Sequence, residues 1–130
     1  CKLILNHYKY KFGICIPCQT DIGKGFYIGH FGGIVVSPES KIGEHCNISQ
    51  GVTIGKISQG EKKGAPTIGN RVYIGPGAKI VGNITIGDNV AIGANAVVVN
   101  DVLSDCTIGG IPAKIISTNN SSLYINNTSN

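Results

Sequence analysis

The side chains in this chain best able to move a proton near neutral pH are its three histidines, His7, His30 and His45. A neutral imidazole can take a proton from a hydroxyl and give it back within one catalytic cycle. The five cysteines are an odd number, and Cys15-x-x-Cys18 is their one close pair. A single pair of that spacing, without a second pair beside it, is weak ground for a metal or redox centre. The histidines are not spaced for a three-histidine zinc site either, so no metal is expected. Charged residues make up 14% of the chain, and the net charge of +4 is scattered, with Lys62-Lys63 the adjacent basic pair. That pattern gives no nucleic-acid-binding stripe, and no apolar run is long enough for a membrane span.

The elements that must position these residues follow from a repeat. An aliphatic residue returns every six positions at Ile16, Ile22, Ile28 and Ile34. After a two-residue slip it resumes at Ile42, Ile48 and Ile54, and after a longer break at Ile68, Ile74, Ile80, Ile86, Ile92 and Val98. Two residues before each stands a mostly small or apolar column: Thr20, Phe26, Gly32, Ser40, Cys46, Val52, Val72, Ala78, Ile84, Val90 and Ala96. Neither a helical nor a simple strand period explains this. A six-residue unit is one short strand plus one turn; three units close a triangular coil, and coils stack into a parallel β-helix. The expected class is all-β, with both columns facing inward. Each buried Ile then contributes roughly 1.5–3 kcal/mol relative to exposure.

Residues 14–116 form this domain. Residues 1–13, with Leu3, Leu5, Tyr8 and Phe12, are expected to be the end of a truncated helical cap over one end of the coils, since the chain begins at Cys1 instead of Met. Residues 117–130, rich in Asn and Ser, are expected to be a poorly ordered tail. One polar, Gly-rich insertion, residues 56–66, breaks the phase and should leave the coil as a loop near the binding groove. Cys46 and Cys106 fall in the inward column and should be buried and reduced, which favours the cytoplasm. His7 falls in the cap and His45 on a polar turn, whereas His30 follows a rung and opens a Gly-containing turn.

The runs now in view resemble the hexapeptide-repeat acyltransferases, and within them the serine O-acetyltransferase family. Tyr27-Ile28-Gly29-His30-Phe31-Gly32-Gly33-Ile34-Val35-Val36 is similar to that family's active-site run, Asp-His-x-x-Gly-[Ile/Val]-Val-[Ile/Val]. Asn47-Ile48-Ser49-Gln50-Gly51-Val52-Thr53-Ile54-Gly55 and a loop of matching length follow. Ile74-Gly75-Pro76-Gly77-Ala78-Lys79-Ile80 and Ile92-Gly93-Ala94-Asn95-Ala96-Val97-Val98 continue the match, and Gly110-Ile111-Pro112-Ala113-Lys114 resembles the terminal Gly-Val-Pro-Ala-Arg motif.

The resemblance implies a left-handed parallel β-helix, assembled as a homotrimer with active sites between subunits. It implies transfer of an acetyl group from acetyl-CoA to a small-molecule hydroxyl acceptor, with His30 as general base. Cofactor contacts carry over to backbone near Gly55, Pro76, Gly77 and Ala94, with Lys114 and Lys79 as candidates near the nucleotide phosphates. Three departures bear on the acceptor. Gly29 stands where the serine enzymes have an Asp before the His. Cys15 falls where a second Asp orients it, and Gly64-Ala65 replace an Arg-His pair associated with holding serine. Asp21 or Glu39 is a candidate to orient the imidazole instead. A sugar or polysaccharide hydroxyl is therefore the alternative acceptor. A zinc-dependent β-helix enzyme lacks its histidine set here, and a non-catalytic β-helix is the remaining alternative.

Overall fold

The computed structural model describes residues 13–125, so the expected helical cap before Gly13 lies outside the described residues. Five coils stack along one axis. The first holds β1 (Ile14–Cys15), β2 (Asp21–Ile22) and β3 (Tyr27–Ile28). The second holds β4 (Ile34–Val36), β5 (Lys41–Ile42) and β6 (Asn47–Ile48). The third holds β7 (Thr53–Gly55), β8 (Thr67–Ile68) and β9 (Tyr73–Ile74), and the fourth β10 (Lys79–Val81), β11 (Thr85–Ile86) and β12 (Ala91–Ile92). The fifth has β13 (Val97–Val98), a bridge from Val102 to Ile86, and β14 (Thr107–Gly109).

Corresponding strands pair in parallel and build three flat faces. The first face runs β1-β4-β7-β10-β13, the second β2-β5-β8-β11, and the third β3-β6-β9-β12-β14. The all-β fold is the left-handed parallel β-helix of the hexapeptide repeat. Identical side chains fall into register, as in Ile48↔Ile74 and Ile74↔Ile92 on the third face. Ile48, Ile54, Ile74, Ile80, Ile92 and the smaller Val52, Ala78 and Ala96 are fully buried, so the two inward columns form one continuous core. Cys46 and Cys106, at 0% and 5% exposure, belong to it as expected, and both are free thiols.

The register differs from the sequence reading at one place. Ile34 pairs with Ile14, and Val36 pairs with Ile54. The rung of the second coil is therefore Val36, while Ile34 takes the column two residues before it; both are buried. The two-residue slip thus lies before Ile34, in the turn 29–33, and not after it. Gly32, expected in the inward column, is part of that turn.

The chain's end also differs. After a cis Ile111-Pro112 bond, β15 (Lys114–Ser117) reverses and pairs antiparallel with β14, so the coil has ended before Lys114. The polar segment beyond it does not hang loose over residues 117–125 but runs back along the outside of the third face. Thr107 Oγ1 donates to the Asn119 carbonyl at 2.7 Å, Ser121 N–H to the Asn89 carbonyl at 3.1 Å, and Asn47 Nδ2 to the Tyr124 carbonyl at 3.1 Å. The Tyr124 ring stacks on Tyr73 at 5.1 Å. Outward residues of this face, Asn47 and Ala91, are buried beneath it.

Candidate active site

The corner between the third and first faces is where most of the sequence-derived site residues meet. In the third, fourth and fifth coils the turns here are residues 49–51, 75–77 and 93–95, and successive turns are joined by backbone bonds. Gly51 N–H donates to the Gly32 carbonyl at 2.7 Å, Gly77 N–H to Gln50 at 2.9 Å, and Asn95 N–H to Pro76 at 2.8 Å. Positive φ at Gly33, Gly51 and Gly77 lets each turn sit close on the next; Gly77, with a φ of 73°, has no room for a Cβ beside the Asn95 side chain.

His30 lies in the turn that carries the two extra residues. From Ile28 to Val36 the chain takes eight steps where Ile48 to Ile54 and Ile74 to Ile80 take six. The surplus lifts His30 and Phe31 clear of the coil, and both are exposed. His30 Nδ1 lies 3.0 Å from the Phe31 carbonyl oxygen. A carbonyl can only accept, so Nδ1 carries a hydrogen, and in the neutral ring Nε2 holds the lone pair. The rings of His30 and Phe31 are stacked, with centroids 5.4 Å apart and an interplanar angle of 20°. The orienting group is thus a main-chain oxygen, which a search for carboxylates passes over.

The carboxylates named from the sequence stand elsewhere. Asp21 is exposed on β2 of the second face, paired with Lys41, and the Glu39 carboxylate meets Lys56 Nζ at 2.9 Å. Cys15 lies on β1 beside Val35, next to the strand that leaves the His30 turn. Gly29 has space: a Cβ there would meet nothing closer than Tyr27 Cε1 at 3.6 Å and the Ile48 carbonyl at 3.7 Å. The missing carboxylate at that position is therefore a choice of sequence and not of steric exclusion.

Pro76, Gly77 and Ala94 lie on the His30 corner, and Gly55 at the far end of β7 on the first face. The Gly77 N–H and one lone pair of the Pro76 carbonyl are already engaged within the stack. Lys79, on β10, donates its ammonium to the Gly51 carbonyl, so this cation braces the corner. Lys114 is exposed at the end of the stack. The insertion 56–66 leaves the next corner, between the first and second faces, as a short hairpin in which Ile57 and Gly64 exchange both backbone hydrogen bonds, at 2.9 and 2.8 Å. His45 holds a left-handed turn position at the remaining corner, φ 56°, with its N–H on the Lys24 carbonyl. Cys15 and Cys18 are free, and among the described residues no group of His, Cys, Asp and Glu is arranged to hold a metal. No helix among them is long and apolar enough to cross a membrane.

The bacterial transferase hexapeptide (six repeats) family matches residues 65–100. A serine acetyltransferase of Synechococcus elongatus is 47% identical over 114 residues, covering 87% of this chain and 47% of the relative. The serine acetyltransferase of Brucella abortus in complex with coenzyme A superposes with a TM-score of 0.83 at 32% identity, covering 91% of this chain and 47% of that one. That of Neisseria gonorrhoeae in complex with serine gives 0.77 at 34% identity, covering 89% and 47%. The chain spans about half the length of these relatives.

Proposed function

Because this chain is a serine acetyltransferase-like hexapeptide-repeat protein, we propose that it transfers an acetyl group from acetyl-CoA to a hydroxyl of a small acceptor, with His30 as the general base. The observation that carries this reading is the tautomer: Nδ1 is fixed by the Phe31 carbonyl, and the basic Nε2 belongs to an exposed side chain on the corner. Nε2 takes the acceptor's proton as its oxygen attacks the thioester carbonyl. The tetrahedral intermediate collapses with loss of the CoA thiolate, to which the imidazolium returns the proton. The alcohol O–H and thioester C–S bonds break, and the ester C–O and thiol S–H bonds form.

Acetyl-CoA enters as co-substrate. Its pantetheine arm would lie along the coils near Gly55, Pro76, Gly77 and Ala94, using the peptide capacity that the inter-coil bonds leave over. Lys114, exposed at the end of the stack, is the leading candidate for a phosphate contact; Lys79 is the lesser one, since its ammonium serves Gly51. The assembly we infer is a homotrimer. The third face is overlain by residues 117–125 and the second carries exposed Asp21 and Lys41, which leaves the first face, with Val35 46% exposed, as the surface for neighbouring copies. The His30 corner and the loop corner flank that face, so packing on it would bring one subunit's loop to its neighbour's histidine. The unpaired thiols favour the cytoplasm. Release of free thiol from acetyl-CoA on adding a hydroxyl acceptor tests the reaction, and light scattering tests the trimer. Acceptor-independent release, or a stable active monomer, overturns the respective part.

A further inference from the structure

The strands of the first face carry one charge. Their registers stack Cys15, Val35, Thr53, Lys79 and Val97 in a single column, with Gly55 and Val81 paired beside it. Lys79 is the charged residue among these, and it is half-buried. Its side chain is folded onto the His30 corner. The ammonium donates to the Gly51 carbonyl, and the Gly51 N–H in turn holds the Gly32 carbonyl of the His30 turn. Lys24 and Lys56 meet Glu44 and Glu39, but among the described residues Lys79 makes no ion pair.

An ammonium has three N–H donors, and Gly51 takes one of them. Two remain on a cation that is held in place. A cation drawn partly out of water without a counter-charge is costly until an anion reaches it. Acetyl transfer generates such an anion. The thioester carbonyl has to stand between His30 and the turn 75–77, beside which the pantetheine arm is proposed to lie. The turn 49–51, bonded to both, occupies that interval and carries the Lys79 ammonium. As the hydroxyl adds, the carbonyl oxygen gains a negative charge. A donor fixed beforehand stabilises that charge without having to reorganise.

We propose that Lys79 is a second catalytic residue, its ammonium donating to the oxygen of the tetrahedral intermediate while it stays anchored on Gly51. The proposal rests on the acetyl-transfer reading above and adds a group to its mechanism. Lys79 keeps its proton throughout. The oxygen takes up charge as the hydroxyl's proton passes to His30 Nε2. It gives the charge up as the C=O bond re-forms, the C–S bond breaks and the thiolate receives that proton from the imidazolium. Lys79 then serves the reacting thioester and not the nucleotide phosphates.

Charge and brace are separable by substitution. Lys79→Gln keeps an N–H donor without the charge, and Lys79→Arg keeps both. The test uses the full chain with acetyl-CoA and, in separate reactions, L-serine and N-acetyl-D-glucosamine, reading thiol release beside a thermal melt. With the faster acceptor, Lys79→Gln should lose turnover on the order of tenfold, a half-buried cation being worth less than an enclosed one. Lys79→Arg should stay within a few-fold of the parent, and the KM for acetyl-CoA should hold in both. Lys79→Gln at the parent's turnover reduces the residue to a brace and overturns the proposal. So does Lys79→Arg no faster than Lys79→Gln at an unaltered melting temperature, and so does a raised KM with turnover kept. In the inferred trimer a neighbour's hairpin brings Glu61 as a further source of counter-charge. The factors lost in Glu61→Gln and Lys79→Gln should multiply in the double variant. A slow Glu61→Gln that adds nothing to Lys79→Gln assigns the ammonium to an ion pair between copies and overturns its catalytic role. No thiol release above the His30→Ala background with either acceptor overturns this proposal and the acetyl-transfer reading together.

Discussion

Replacing His30 with Ala separates chemistry from folding in this molecule unusually cleanly. The side chain is exposed, and its hydrogen bond is to the carbonyl of the adjacent residue, so its removal leaves no buried group unsatisfied. Surface changes of this kind stay within about 0.5 kcal/mol of stability. The backbone bond from Gly51 to Gly32 that anchors the turn is untouched. A positioned general base contributes about 10²–10⁴ in rate, or roughly 3–5 kcal/mol of barrier. His30→Ala should therefore lose turnover by about that factor with the melting temperature nearly constant. The KM for acetyl-CoA should hold as well, because the proposed cofactor contacts lie away from the His30 turn. His30→Gln can still donate to the Phe31 carbonyl but has no basic nitrogen, and should be as inactive as Ala. The assay is initial-rate thiol release at saturating acetyl-CoA, beside a thermal melt. If either variant keeps turnover within a few-fold of the parent, Nε2 is not the base and the tautomer argument fails.

Burial is the main cause that pushes the Cys46 thiol from 9.0 up to about 11. A raised acid stabilises the fold fully below its unfolded value and loses that contribution as pH rises through the folded one. Stability should thus fall between about pH 9 and about pH 11 by on the order of 2 kcal/mol more in the parent than in Cys46→Ala, as denaturant titrations across that range would measure; equal losses would refute it. Neither Cys46 nor Cys106 should label with a bulky thiol reagent in the native state, and rapid labelling of both would contradict the repeat phase. Lys79→Met removes the brace on Gly51, whose N–H holds Gly32 of the His30 turn. Turnover should fall on the order of tenfold with the KM for acetyl-CoA unchanged; a raised KM with turnover kept would instead make Lys79 a phosphate contact. Replacing residues 57–65 by a plain turn should spare folding, since the hairpin closes on itself, and impair turnover; unaltered kinetics would make it a passive insertion.

The coil was legible in the sequence because its core is one-dimensional. Every inward position repeats at six residues, and stacking neighbours must match, so Ile48, Ile74 and Ile92 announce one another. The register failed where the signal is degenerate. Ile34-Val35-Val36 offers an aliphatic residue for the rung in either phase of the slip, and the column two residues before it holds small and aliphatic residues alike, so Gly32 did not mark the error. The docking of residues 117–125 was hidden for another reason. It rests on single polar contacts from Asn119, Ser121 and Tyr124 with no period, and its Asn- and Ser-rich composition is that of loose ends. His30 could be picked out by its place after a rung, but its orienting partner is a carbonyl oxygen, which every residue has and no sequence marks. Asp21 and Glu39 were plausible by type alone; the coil puts one on another face and Lys56 pairs the other.

The slip explains why the proposed base stands at this corner. In a turn of regular length the backbone is drawn into the ladder between coils, as Gly77 and Asn95 are, and the chain at its tip stays level with its neighbours. Two additional residues change that only locally. The Gly32 carbonyl still receives the Gly51 N–H, and Ile34 N–H still donates to Gly13, so the base of the turn remains part of the stack. Gly32 and Gly33, both at positive φ, return the chain to β4 within that length. What rises is His30 with Phe31, consecutive residues that a flat turn would splay and that here stack on each other. A base must be held firmly and yet reach a hydroxyl outside the fold. A surplus of two residues, anchored at both ends by bonds the β-helix already makes, meets both demands with the scaffold otherwise unaltered.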